Sequence, residues 1–112
     1  MVKDRENSEH YQWGAACDGW HLHQSDTLSI IQEKMPPGTS ENLHYHEKAK
    51  QFFFILKGEA TFEVEKETYQ VREGQGIHIP PMKKHRILNH TDKPLEFTVT
   101  SEPTSHGDRI DL

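Results

Sequence analysis

The chain has 112 residues, a formal net charge of −5, 32% hydrophobic and 28% charged residues. This describes one small domain with a modest core, too apolar for a disordered segment. Its acidic and basic residues are interleaved, with Lys83, Lys84 and Arg86 as the one basic cluster, which excludes a nucleic-acid surface. No apolar run is long enough to span a bilayer and residues 1–10 contain no apolar leader, so a cytoplasmic protein without a membrane partner is expected. The single Cys17 cannot form an internal disulfide and reads as a small buried side chain.

In chain order, residues 1–10 are charged and expected to fray. Trp13 and Trp20 stand near Gly14 and Gly19 and call for cover, from a second subunit or at the rim of the fold; stacking on a carbohydrate is the alternative. His21 and His23 lack any downstream ligand framework and read as structural or surface residues. Residues 26–35, with Leu28, Ile30 and Ile31, predict a strand that stops at Pro36-Pro37-Gly38. His44 and His46 then fall two apart, on one face of a strand. That spacing suits two adjacent positions around a transition metal, and equally suits two solvated imidazoles.

The polar residues 47–50 reset the alternation before QFFFILK, where Gln51, Phe53 and Ile55 share one face and Phe52, Phe54 and Leu56 the other. If Gln51 points inward, the outer row needs cover, and a second copy in a homodimer is the expected source. Ala60, Phe62 and Val64 alternate with polar residues; 68–72 pairs back; 77–79 forms a strand with His78 outward. His85, Ile87 and Asn89 share a face, and Leu95, Phe97 and Val99 form a last inward row. The tail SEPTSHGDRIDL shows no strand pattern. Short strands, regular turns and no helical period predict an all-β fold.

Two spaced motifs run through these strands. The first, over 38–58, is Gly38, five residues, His44-x-His46, four residues, Gln51, six residues and Gly58; the second, over 74–89, is Gly74, five residues, Pro80, then Met82, His85 and Asn89. They resemble the two signature motifs of the cupins, with Gln51 where that family usually carries Glu and Met82 where it usually carries Gly. The resemblance implies one cupin domain over 1–112, a jelly-roll β-barrel. It also implies one divalent transition metal (zinc, nickel, manganese or iron) at the barrel mouth, held by His44, His46, Gln51 and His85.

A neutral Gln51 would leave the full charge of such a metal uncancelled, favouring an anionic oxygen ligand, and would remove a carboxylate base. Gln-bearing cupins of the pectin pathway, which act on unsaturated uronates, are therefore nearer models. Their Asp-x-Phe-x-x-x-Arg pattern is replaced here by Thr98, Thr100 and Thr104. Two functions remain open: metal-dependent isomerisation, ring opening or oxidation of a small sugar-like or keto acid, and capture of a small anion without turnover. An acid or base beside the metal would separate them, and the candidates are Gln32, His106, Asp108 and Arg109. Arg109 could grip a carboxylate if the tail folds over the mouth; surface pairing with Asp108 is the alternative.

Overall fold

Strict alternation of inward and outward side chains, punctuated by glycine and proline, produces strands almost throughout. The computed structural model describes residues 1–105 and 107–112. Among them lie eleven strands: β1 (Glu9–Trp13), β2 (Cys17–Gln24), β3 (Ser29–Met35), β4 (His44–His46), β5 (Lys50–Lys57), β6 (Glu59–Val64), β7 (Glu67–Arg72), β8 (Gly76–Ile79), β9 (His85–Leu88), β10 (Leu95–Glu102) and β11 (Arg109–Asp111). They form a six-stranded sheet in the order β1-β2-β3-β10-β5-β8 and a five-stranded sheet in the order β11-β4-β9-β6-β7. All pairings are antiparallel. The all-β jelly-roll expectation holds, with one adjustment: the two sheets face each other without closing into a single hydrogen-bonded barrel.

The inward rows meet between the sheets. Phe53 and Ile55 of β5, Ala60 and Phe62 of β6, Ile87 of β9 and Leu95, Phe97 and Val99 of β10 are all buried. Phe53 packs its ring 5.0 Å from Phe62 and 5.8 Å from Phe97, joining the sheets. The opposite row of β5 stays at the surface, with Phe52, Phe54 and Leu56 at 45, 39 and 42% exposure. Cys17 is buried and free, as its surroundings suggested. No helix among the described residues is long and apolar enough to cross a membrane.

Three segments differ from expectation. Residues 9–24 form a hairpin, β1-β2, that extends the larger sheet, because Glu9 to Trp13 find partners in Cys17 to His21. Glu9 and His10, within the stretch expected to fray, are thus tied into the sheet. Trp20 is half-buried under its own chain, with the Arg5 guanidinium 4.7 Å from the ring centroid and His10 at 5.3 Å. The third strand begins at Ser29 rather than at 26, because Ser25 and Leu28 exchange turn hydrogen bonds. The tail carries a strand after all: β11 is only three residues long, too short to show a pattern, yet pairs with β4 in the register Arg109↔His46, Ile110↔Tyr45, Asp111↔His44.

Candidate metal centre

On β4, Tyr45 turns outward and its neighbours inward, so His44 and His46 enter the space between the sheets. β9 begins at His85, directly opposite His44, and their ring centroids lie 4.3 Å apart. One nitrogen from each of His44, His46 and His85 falls within 4.8 Å of the others. All three rings are buried, as is Gln51, which reaches the group from the facing sheet.

The hydrogen bonds of these side chains fix which atoms are free. A carbonyl oxygen only accepts, so His44 Nδ1 donates to Asn42 O at 2.8 Å and His85 Nδ1 donates to Lys83 O at 2.9 Å. Burial, with neighbouring positive charge, pushes the histidines down: His44 to about 3, His46 to about 4, and His85 in the same direction. Neutral imidazoles protonated at Nδ1 present an Nε2 lone pair. Within the larger sheet, Gln51 and Ser101 are register partners on β5 and β10, and Gln51 Nε2 donates to Ser101 Oγ at 3.0 Å. The Gln51 carbonyl oxygen is thereby aimed at His85 Nε2, 3.2 Å away. Two lone pairs then face each other, which a cation between them would convert from repulsion to binding. His46 Nδ1 is also buried with no partner among the described residues. The three nitrogens and one amide oxygen suit a borderline transition metal, and the residues fit the group that the sequence motifs imply.

His44, His46 and Gln51 open onto a cavity of about 220 Å³ whose wall includes Tyr11, Trp13, Glu33, Glu41, Phe53 and Arg109. Glu41 lies between the cluster and the tail: Oε1 is 3.9 Å from His44 Nδ1 and accepts from Ile87 N–H at 3.3 Å, while Oε2 is 3.5 Å from Arg109. Burial raises the Glu41 carboxyl to about 8, although Arg109 favours its charged form. Burial likewise raises Glu33 to about 7, opposed by the hydrogen bond from Tyr11 and by Arg109. Burial and the Glu33 charge together raise the Tyr11 phenol, so it remains a donor. A larger groove on the outside, lined by Val64, Tyr69, Ile77 and His78, contains none of the clustered histidines.

The four candidates for an acid or base separate. Arg109 reaches the cavity because β11 pairs it opposite His46. Asp108 instead accepts hydrogen bonds from the N–H groups of Glu47, Lys48 and Ala49 at 2.9 to 3.2 Å, pinning the turn that follows His46. Gln32 lies on the outer face of β3, beside Arg5 and Leu22; its neighbour Glu33 is the residue that faces the cluster. His106 lies outside the described residues. Sequence reasoning missed Tyr11, Glu33 and Glu41. Glu33 had a signal, since it shares strand parity with Ile31 and the buried Met35.

Comparisons with known proteins agree with this architecture. The Cupin domain profile matches residues 31–101. An uncharacterized protein of Methanocaldococcus jannaschii is 32% identical over 89 residues, which is 79% of this chain and 71% of that protein. An oxalate-binding protein of Thermotoga maritima is 33% identical over 76 residues, 68% of this chain and 62% of that protein. Among solved structures, a Thermotoga maritima protein described as a predicted oxalate decarboxylase superposes with a TM-score of 0.85 at 22% identity, covering 93% of this chain and 100% of that one. KdgF from Halomonas sp. superposes at 0.86 with 14% identity, covering 96% and 98%. Identities this low in the solved structures carry the fold alone. The profile match over more than half of its length, and the two motifs that build the histidine cluster, show that the chain belongs to the cupin domain family.

Proposed function

We propose that this cupin holds one divalent transition metal (zinc, nickel, manganese or iron) on His44, His46, His85 and the Gln51 carbonyl oxygen, and through it binds a small carboxylate-bearing anion. The observation that carries the reading is the 3.2 Å approach of His85 Nε2 to Gln51 Oε1, two acceptors turned toward the same point. Bound there, the metal supplies a Lewis acid that polarises a ligand oxygen. The chain supplies the rest. Arg109 places a guanidinium in the wall, and Trp13 in the same wall has a buried indole N–H without a partner among the described residues. A cavity of about 220 Å³ admits a small keto acid, sugar-like acid or dicarboxylate rather than an oligosaccharide. The name of the Thermotoga maritima relative, an oxalate-binding protein, supports the same ligand class.

Isomerisation, ring opening or oxidation of such an acid is the catalytic form of this reading. Capture without turnover is the second form, favoured by Gln51, whose amide cannot act as a base where a carboxylate could. Metal analysis of protein produced with all four metals supplied should find about one ion per chain, and oxalate titrated into loaded protein should bind, while metal-free protein should not. A chain that acquires no metal under these conditions overturns the reading. Turnover of keto acids or uronates separates its two forms.

A homodimer accompanies this proposal. The outer row Phe52, Phe54 and Leu56 lies on β5, next to the edge strand β8 of the larger sheet, and a second copy of the same row would cover it. Sedimentation should give a dimer at micromolar concentration, and Phe54→Glu should disperse it. A stable parent monomer would remove the dimer from the proposal.

A further inference from the structure

Beside the histidine cluster, three strands of the larger sheet carry an alignment that metal binding does not use. Tyr11 on β1 pairs with Gly19 on β2, which pairs with Glu33 on β3. The tyrosine ring lies across the middle strand, and its hydroxyl donates to Glu33 Oε2 at 2.5 Å. Only glycine permits this: a Cβ on residue 19 would overlap the Tyr11 ring. The hydrogen bond therefore depends on a gap built into the neighbouring strand.

The charges around the cavity distinguish its two carboxyl groups. Glu41 has Arg109 at 3.5 Å and the Ile87 N–H. Glu33 has the Tyr11 hydroxyl, and among the described residues it makes no ion pair. The other titratable groups near Glu33 are Cys17 of β2, Glu41 and Arg109, with His44 and His46 in the same cavity wall. Burial keeps Glu41, at about 8, nearer its neutral form than Glu33, at about 7, so near neutral pH the carboxylate a ligand anion meets is Glu33, which has no cation paired to it. Repulsion between the two anions is relieved when Glu33 takes up a proton.

We propose that Glu33, positioned by Tyr11 across Gly19, takes up a proton when a small carboxylate ligand binds and donates it in a hydrogen bond to a ligand oxygen. This rests on the metal-dependent ligand reading above. The proton comes from solvent, no covalent bond to carbon is made or broken, and Tyr11 keeps its own proton while bonding to the other Glu33 oxygen. Burial already brings the Glu33 carboxyl to about 7, so a ligand charge nearby is enough to fill it at mildly alkaline pH. The pair makes the site selective for anions that carry a hydrogen-bond acceptor at this distance from the metal.

The test is calorimetric titration of oxalate into metal-loaded protein, in two buffers of different ionisation enthalpy, roughly one pH unit above 7. The parent should take up close to one proton per oxalate, and its affinity should fall about tenfold per pH unit above that point. Glu33→Gln should lose the uptake and flatten that dependence, with metal content measured in parallel. Tyr11→Phe removes a donor that favours the Glu33 carboxylate, so its uptake should persist to higher pH. Proton uptake unchanged in metal-loaded E33Q would overturn the proposal and leave the metal reading standing. A parent that binds metal but no oxalate, or no metal, would remove both.

Discussion

The interior has two ends of opposite character, and the inner row of β5 runs from one to the other. At Ile55 it meets Phe62, Phe97 and Leu95, each fully buried and apolar. At Gln51, four residues earlier, it meets His85 and Ser101, also buried but polar. Phe53 is the boundary, with its ring 5.0 Å from Phe62 on one side and 6.3 Å from His85 on the other. A small domain has little apolar surface to spare, so stability is concentrated at the Ile55 end while the other end holds groups whose burial opposes folding. Substitutions at the two ends should accordingly fail in different ways.

The largest effect is expected at the packed end. Phe62→Ala should cost about 3–5 kcal/mol, read from urea unfolding, and should leave metal affinity unchanged wherever the variant is still folded. Loss of metal in folded F62A would break the separation between the ends. His46→Ala should do the reverse, lowering metal affinity by at least ~100-fold while the metal-free protein unfolds near the parent midpoint. Gln51→Glu should retain the metal.

A third measurement uses pH. The Glu33 carboxyl lies near 7 in the fold against an ordinary value of 4.5, so it binds more protons folded than unfolded between those values. Its contribution is full below 4.5 and is lost as pH rises to about 7. His44 and His46, held down to about 3 and 4, have the opposite sign: their contribution is lost as pH falls below 6.5. The difference between metal-free E33Q and parent isolates the first, and the variant should lose less stability between pH 4.5 and 7 than the parent. Equal slopes would place Glu33 outside the buried polar end. The smallest effect is at the surface: the Arg86–Glu63 pair, 2.6 Å apart but 36% exposed on each side, should cost under about 1 kcal/mol on Arg86→Ala and vanish at high salt.

The packed end was legible because period-two alternation states it directly: Phe53 and Ile55, Ala60 and Phe62, Leu95, Phe97 and Val99 all turn inward as their parity requires. The histidine cluster was legible because motif spacing brings two short segments together. What escaped depends on register between strands, which a linear reading does not contain. Glu33 becomes a partner of Tyr11 only when β1, β2 and β3 align at Gly19. Arg109 enters the wall only because β4 offers its edge to a three-residue strand. Gln32 lies outward because its parity is opposite to that of the buried Met35, whereas Glu33 shares it.

Met82, at φ 71, adopts the left-handed conformation at the turn between β8 and β9, and its N–H bonds to the His46 carbonyl at 2.7 Å. A residue with a Cβ is strained there by about 1–2 kcal/mol. Glycine would remove that strain but would give the unfolded chain more freedom, an entropic loss of roughly 0.5–1 kcal/mol. The two nearly cancel. Exchange between methionine and glycine is therefore almost neutral at this position, and the turn can keep holding His46 in place with either residue.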